Sequence, residues 1–185
     1  MLYPLTETLT LRTIDPAADA DRCAAHHLDA CVASFGEGAR YEGRDAYLKW
    51  LAPKVDEFPD GFVLAFERGA DGREVCVGQL ELEVPYGLST GYISLFYVAP
   101  EHRGRGIGRL LHAYAERYFR SWEADRAELH VSPRNIRAIR FYRRLGYAFA
   151  PEGNGTYMTR RAKLWKMSRA IGAGTGTETE ASSAG

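Results

Sequence analysis

Residues 92–122 read YISLFYVAPEHRGRGIGRLLHAYAERYFRSW. Tyr92 to Val98 is an apolar run of aromatic and β-branched residues, the composition of a strand. Ala99-Pro100 ends it, because proline has no N–H to continue a ladder. Arg103-Gly104-Arg105-Gly106-Ile107-Gly108 then places three glycines within five residues. Beyond them Ile107, Leu110, Leu111, Tyr114, Tyr118 and Trp122 recur at helical spacing. Strand, glycine-rich turn and helix in this order suit a pyrophosphate. Glycines let an anion approach the backbone, and the free N–H groups and dipole at the helix start face it.

Three glycine-rich devices share that layout. The nucleotide P-loop ends in Gly-Lys-Ser/Thr, and none is present. The dinucleotide fingerprint has G-x-G-x-x-G and an acidic residue about 20 positions on. Here the spacing is G-x-G-x-G, and the next strand, Ala127 to Val131, runs into His130-Val131-Ser132. The third device is an R/Q-x-x-G-x-G/A loop, which Arg103-x-x-Gly106-x-Gly108 fits. The segment from Val98 to Gly108 resembles the central motif of the GNAT family of N-acetyltransferases. An ordinary turn would not need so many glycines.

A second block supports the resemblance. Leu129 to Tyr147 reads LHVSPRNIRAIRFYRRLGY, similar to that family's following strand and helix. Asn135, Ala138 and Tyr142 fall at i, i+3 and i+7, one helix face. Gly146 suits a left-handed cap. Ser132 with Pro133, or Asn135, starts the helix. Taken alone, Tyr142 reads as a core aromatic; its register with Asn135 gives it a second meaning.

At 185 residues one domain is expected, with room for a sizeable core. Zero net charge and 26% charged residues favour neither a nucleic acid nor a membrane surface as partner. No apolar run nears the roughly 18 residues of a membrane span, and the start lacks a basic region typical of a secretory signal. Cys23, Cys31 and Cys76 read as reduced thiols of a cytoplasmic protein.

Leu9 to Ile14 alternates like a strand. Asp15-Pro16 starts a helix through about Ser34. Cys23, His27 and Cys31 fall on it at i, i+4 and i+8, a metal-like spacing, but small core-facing residues of an amphipathic helix have the same pattern, and no metal is assigned. A second helix runs from Arg44 to about Val55 with Leu48, Leu51 and Val55 inward. Phe62 to Glu67 is a strand, Asp71-Gly72 a hairpin turn. Cys76 to Val84 is the next strand, with Cys76, Gly78, Leu80, Leu82 and Val84 on one face and Gln79, Glu81 and Glu83 on the other. After Gly146 come a short strand, a loop from Pro151 to Gly155 and a last strand within Tyr157 to Ser168. The single domain spans 1–170, and 171–185 reads as a disordered tail.

The resemblance covers about Gly78 to Ala150. It implies an α/β fold with a central mixed sheet, helices on both faces and two splayed parallel strands, Tyr92–Val98 and Ala127–Val131. It implies acetyl-CoA as co-substrate and an amine as acceptor, a small molecule first, with a protein amine or a non-catalytic acyl-CoA-binding module as alternatives. The two-helix region would then shape the acceptor pocket, and Phe35, Tyr41, Tyr47 and Trp50 either line it or fill the core. The pyrophosphate would sit on the N–H groups of Arg103, Gly104, Arg105, Gly106, Ile107, Gly108 and Arg109, with Arg103 and Arg105 adding charge. The end of the strand, Tyr97 and Val98, would supply a backbone donor to the thioester oxygen. Asn135 and Ala138 would meet the pantetheine arm, and Tyr142 would protonate the leaving thiolate. The acceptor's ammonium must lose a proton. Glu83, Glu81 and His130 are rival bases, with a water relay as a further option. Glu81 and Glu83 read equally well as solvated edge charges or a cation anchor. The stripe Arg134, Arg137, Arg140 and Arg144 reads first as a solvated helix face, or else as a contact for the 3′-phosphate. Dimers are frequent in that family, so a homodimer is among its implications.

Overall fold

The computed structural model describes residues 2–36, 42–150 and 157–161. Strands β1 (Leu2–Pro4) and β2 (Leu9–Thr13) are followed by helices α1 (Ala20–Phe35) and α2 (Arg44–Glu57). Then come β3 (Phe62–Arg68), β4 (Glu74–Glu83), β5 (Thr90–Val98), α3 (Ile107–Ser121) and β6 (Arg126–His130). Helix α4 (Ile136–Arg144), β7 (Ala148–Phe149) and β8 (Tyr157–Arg161) close the described chain. They form one mixed sheet in the order β1-β2-β3-β4-β5-β6-β8-β7, with only β5 and β6 parallel among its pairs. Short connections join the antiparallel pairs β1–β2, β3–β4 and β4–β5, α1 and α2 intervene between β2 and β3, and the parallel pair needs the crossover that α3 provides.

Two apolar layers cover the sheet. Val63, Ala65, Leu80, Leu82 and Ile93 pack with Leu111, Tyr114, Ala115, Phe119 and Tyr142 of α3 and α4. Phe62 and Leu64 pack with Cys23, Tyr47, Leu51 and Val55 of α1 and α2. Period-2 alternation in β3 sends neighbouring residues to opposite layers. Gly91 lets α3 pack closely on β5, since a Cβ there would stand 2.3 Å from the Phe119 ring.

Several boundaries differ from the sequence reading. Strand β1 was not expected; it pairs with β2 at the sheet edge, where Pro4 is tolerated. Helix α1 starts at Ala20, not at Asp15-Pro16. The Asp15 carboxylate accepts the amides of Ala17 and Ala18, closing a separate turn. The Asp19 carboxylate is taken by Arg12 and Arg22. Of the apolar stripe expected on α3, Leu110 and Trp122 are partly exposed and Phe119 takes the inward place. Cys76 packs with the α1/α2 layer and Val77 with the other, because a bulge shifts the register near Val77. Tyr41, the loop from Pro151 to Gly155 and the 171–185 tail lie outside the described residues.

Candidate active site

A second bulge creates the site. On β5, Ile93 opposes Leu82 and Leu95 opposes Glu81, so Ser94 is the extra residue. Parallel pairing with β6 ends at the same point, with Ile93 opposite Leu129. A bulge bends its strand. From Ser94 to Val98 the strand therefore keeps β4 on one side and leaves β6 on the other.

The open side carries donors. The Ala99 amide donates to Val77 O at 2.9 Å. Antiparallel pairing alternates, so the amides of Tyr97 and Leu95 face β4. Those of Phe96 and Val98 face the gap. The Val98 carbonyl accepts from Arg103 Nε at 2.7 Å, which leaves its amide as the polar group presented there. His130 ends β6 across the gap, exposed, with its ring 6.2 Å from that of Tyr92.

The loop that follows fits a diphosphate. Gly104 and Gly106 have φ of 81° and 89°. No atom lies within 4 Å of a Cβ built on either. Side chains avoid this backbone region, so the loop's shape and its open front both depend on glycine. Gly106 caps α3, and the amides of Arg109 and Leu110 fold back to its carbonyl. The earlier amides of the first turn have no partner inside a helix and point forward. Ile107 is buried beneath the loop and Gly108 packs against Phe141. Arg109 is exposed. Arg103 reaches back to Val98 O and to Asp29 at 3.4 Å, and its guanidinium lies over the Tyr97 ring. Arg105 forks onto Glu67 at 2.9 Å for both nitrogens. Both arginines thus brace the loop.

Helix α4 approaches from the other side. Asn135 accepts the Ala138 amide at 3.1 Å, as an N-cap does. It also donates to Ser34 of α1 at 3.2 Å. Its amide group therefore ties α4 to α1 across the site. Gly146 is left-handed after the last turn. Tyr142 is buried, edge-on to Phe96 at 6.1 Å and to Tyr147 at 5.3 Å. Burial pushes its phenol well above the ordinary value, so it stays protonated as a donor must. Arg134, Arg137, Arg140 and Arg144 are exposed.

On the α1/α2 face Glu81 and Glu83 of β4 are buried, which rules out solvated edge charges for them. Glu81 accepts from Tyr47 Oη at 2.5 Å and from Gln79 Nε2 at 2.7 Å. Gln79 also donates to Tyr47 Oη at 2.9 Å, and its Oε1 lies 3.0 Å from His26 Nδ1. The network closes when His26 carries its proton on Nδ1. Burial holds the His26 and His27 imidazoles below their ordinary value. His26 stacks on Tyr97 and His27 on Tyr47. Glu83 instead meets Ser94 Oγ at 2.5 Å and Lys54 Nζ at 2.7 Å. Of the expected aromatics, Tyr47 is buried, while Phe35 and Trp50 are partly exposed. Cys23 points into the core, and no group of three His, Cys, Asp or Glu among the described residues could hold a metal. His26, Lys54 and Asp29 were not singled out as site residues: nothing in their local sequence distinguishes them from other polar residues of a surface helix.

Burial pushes the Glu81 carboxyl up to about 7. The folded chain therefore holds a proton that the unfolded chain releases above the ordinary value of 4.5. Stability relative to Glu81→Gln is expected to fall as pH rises from about 4.5 to 7, by up to about 3 kcal/mol. Parallel melting curves for the two proteins across that window would mean that water reaches the carboxyl.

Comparison with known proteins agrees with this geometry. The family described as "Acetyltransferase (GNAT) family" matches residues 24–147. A streptothricin acetyltransferase of Streptomyces lavendulae is 32% identical over 57% of this chain and 62% of its own length. A mycothiol acetyltransferase of Salinispora arenicola is 31% identical over 78% of this chain and 46% of its own length. The chain thus spans only about half the length of such relatives. Among solved structures, the PaiA N-acetyltransferase of Thermoplasma acidophilum in complex with coenzyme A has a TM-score of 0.65 at 16% identity, covering 83% of this chain and 99% of that one. At that identity the likeness concerns the fold. No helix among the described residues is long and apolar enough to cross a membrane.

Proposed function

Because this chain belongs to the acetyltransferase (GNAT) family, we propose that it transfers the acetyl group of acetyl-CoA to a primary amine of a small molecule in the cytoplasm. The observation that carries this reading is the strand that leaves its parallel neighbour at Ser94 and runs straight into an open glycine-rich loop.

Acetyl-CoA supplies the acetyl group as a thioester. The amides from Gly104 to Gly108 hold its diphosphate. The Val98 amide donates to the thioester oxygen as charge grows there. Tyr142 gives a proton to the departing sulfur. The acceptor enters from the α1/α2 face, where Glu81 and Glu83 lie, with His130 across the gap. Relatives named for streptothricin and mycothiol support a small-molecule acceptor.

Incubation with acetyl-CoA and a panel of small primary amines, read by free thiol, tests this. Amine-dependent thiol release is expected. Tight coenzyme A binding with no release for any amine would overturn the enzymatic reading and leave a binding module.

A further inference from the structure

Glu83 and Glu81 sit two residues apart on β4, yet their surroundings differ. Glu81 is enclosed, and the donors it meets, Tyr47 and Gln79, are neutral and belong to a closed network. Glu83 stands at the vertex of the gap. One oxygen accepts from Ser94, the bulge residue at which β5 and β6 part, and the other meets the Lys54 ammonium. That lysine is not confined to Glu83. Its Nζ lies 3.5 Å from Glu57 and 5.3 Å from the centre of the Phe58 ring. Both alternatives lie on the last turn of α2 or just after it, within reach of a flexible four-carbon stem. Its side chain is 26% exposed against 12% for Glu83, so the ammonium lies on the solvent side of the pair.

We propose that Glu83 receives the acceptor's ammonium and that Lys54 is its resident counter-ion, displaced by substrate onto Glu57 and the Phe58 ring. The proposal rests on the acetyltransferase reading and narrows its acceptor to a primary alkylammonium ion. One ammonium replaces another, so the buried carboxylate is never left without a cation, which would be costly. Glu83 takes one proton from the bound ammonium and so frees its lone pair; the neutral amine attacks the thioester carbon, the C–S bond breaks, the sulfur takes the Tyr142 proton, and the second proton shed by the nitrogen restores Tyr142. Lys54 is a positioning residue that acts through Glu83.

The test uses the full chain with 1,4-diaminobutane as the probe. Lys54→Met removes the competing charge and keeps the stem. Its KM for the diamine is expected to fall about fivefold, the scale of a partly exposed ion pair, with the coenzyme A dissociation constant unchanged. The diamine alone should raise the melting temperature of Lys54→Met more than that of the wild type. Lys54→Arg, which retains the ion pair, should not show the lower KM. Glu83→Gln should raise KM about tenfold and lose stabilisation by the diamine. An unmoved KM in Lys54→Met, together with equal stabilisation of both proteins, would overturn the assignment. Absence of thiol release from the wild type with every amine would instead strike the acetyltransferase reading, and the stabilisation difference would still decide the role of Glu83.

Discussion

Replacing Gly106 by valine is expected to raise the dissociation constant for coenzyme A at least about 100-fold. The residue has a φ of 89° at the cap of α3. A β-branched side chain in that region costs on the order of 1–3 kcal/mol. The backbone can relieve the strain by turning, which swings the neighbouring amides away from the anion. If it does not turn, the valine methyl groups stand in the open space in front of the loop. Either way, bonds to a charged diphosphate are lost, each about 1.5–3 kcal/mol. Two such bonds correspond to roughly 100-fold or more in affinity. Gly72→Val is the control. Gly72 has a φ of 79° and equally open surroundings, but it lies in the β3–β4 hairpin. It should lose stability and keep its affinity. Titration calorimetry on both variants separates strain from binding; a Gly106→Val protein that titrates like the wild type would remove the loop from the site.

The second large effect concerns Tyr142. Tyr142→Phe is expected to lower kcat by about 100-fold or more, within the range for loss of a positioned acid. Coenzyme A affinity should change less than about threefold, because the ring remains and its partners Phe96 and Tyr147 are aromatic contacts. Tyr142 is packed in the main core cluster, so the purely structural alternative is real. It predicts a lower melting temperature with kcat intact. Single-turnover measurement of thiol release distinguishes the two. A wild-type rate in Tyr142→Phe would transfer the proton donation to water.

Two parts of the chain show how far linear sequence reaches. Around Gly104–Gly108 and Asn135–Gly146, each feature of the candidate site is local. A glycine-rich turn before a helix, a cap at Asn135 and a left-handed Gly146 after the helix are all set by residues within a few positions of one another, and the structure has them there. The α1/α2 face is different. Glu81 meets Tyr47 across 34 positions, and Gln79 meets His26 across 53. No local pattern records such pairings. The alternation of β4 put both carboxylates on one face correctly, but alternation cannot say whether helices cover that face. Even the alternation failed near Val77, where one extra residue in a bulge moved Cys76 to the other layer.

By itself the sequence determined the family, the order of strand, glycine-rich loop and helix, and the register of Asn135 with Tyr142. These depend on backbone conformation and short-range periodicity, which are written into neighbouring residues. Only the tertiary structure decided that Arg103 and Arg105 brace the loop, that Asn135 ties α4 to α1, and that Glu81 is sealed while Glu83 meets a lysine. The reason is physical. The partner and the solvation of a charged side chain are set by what the sheet and helices bring beside it, and that juxtaposition exists only once the chain has folded.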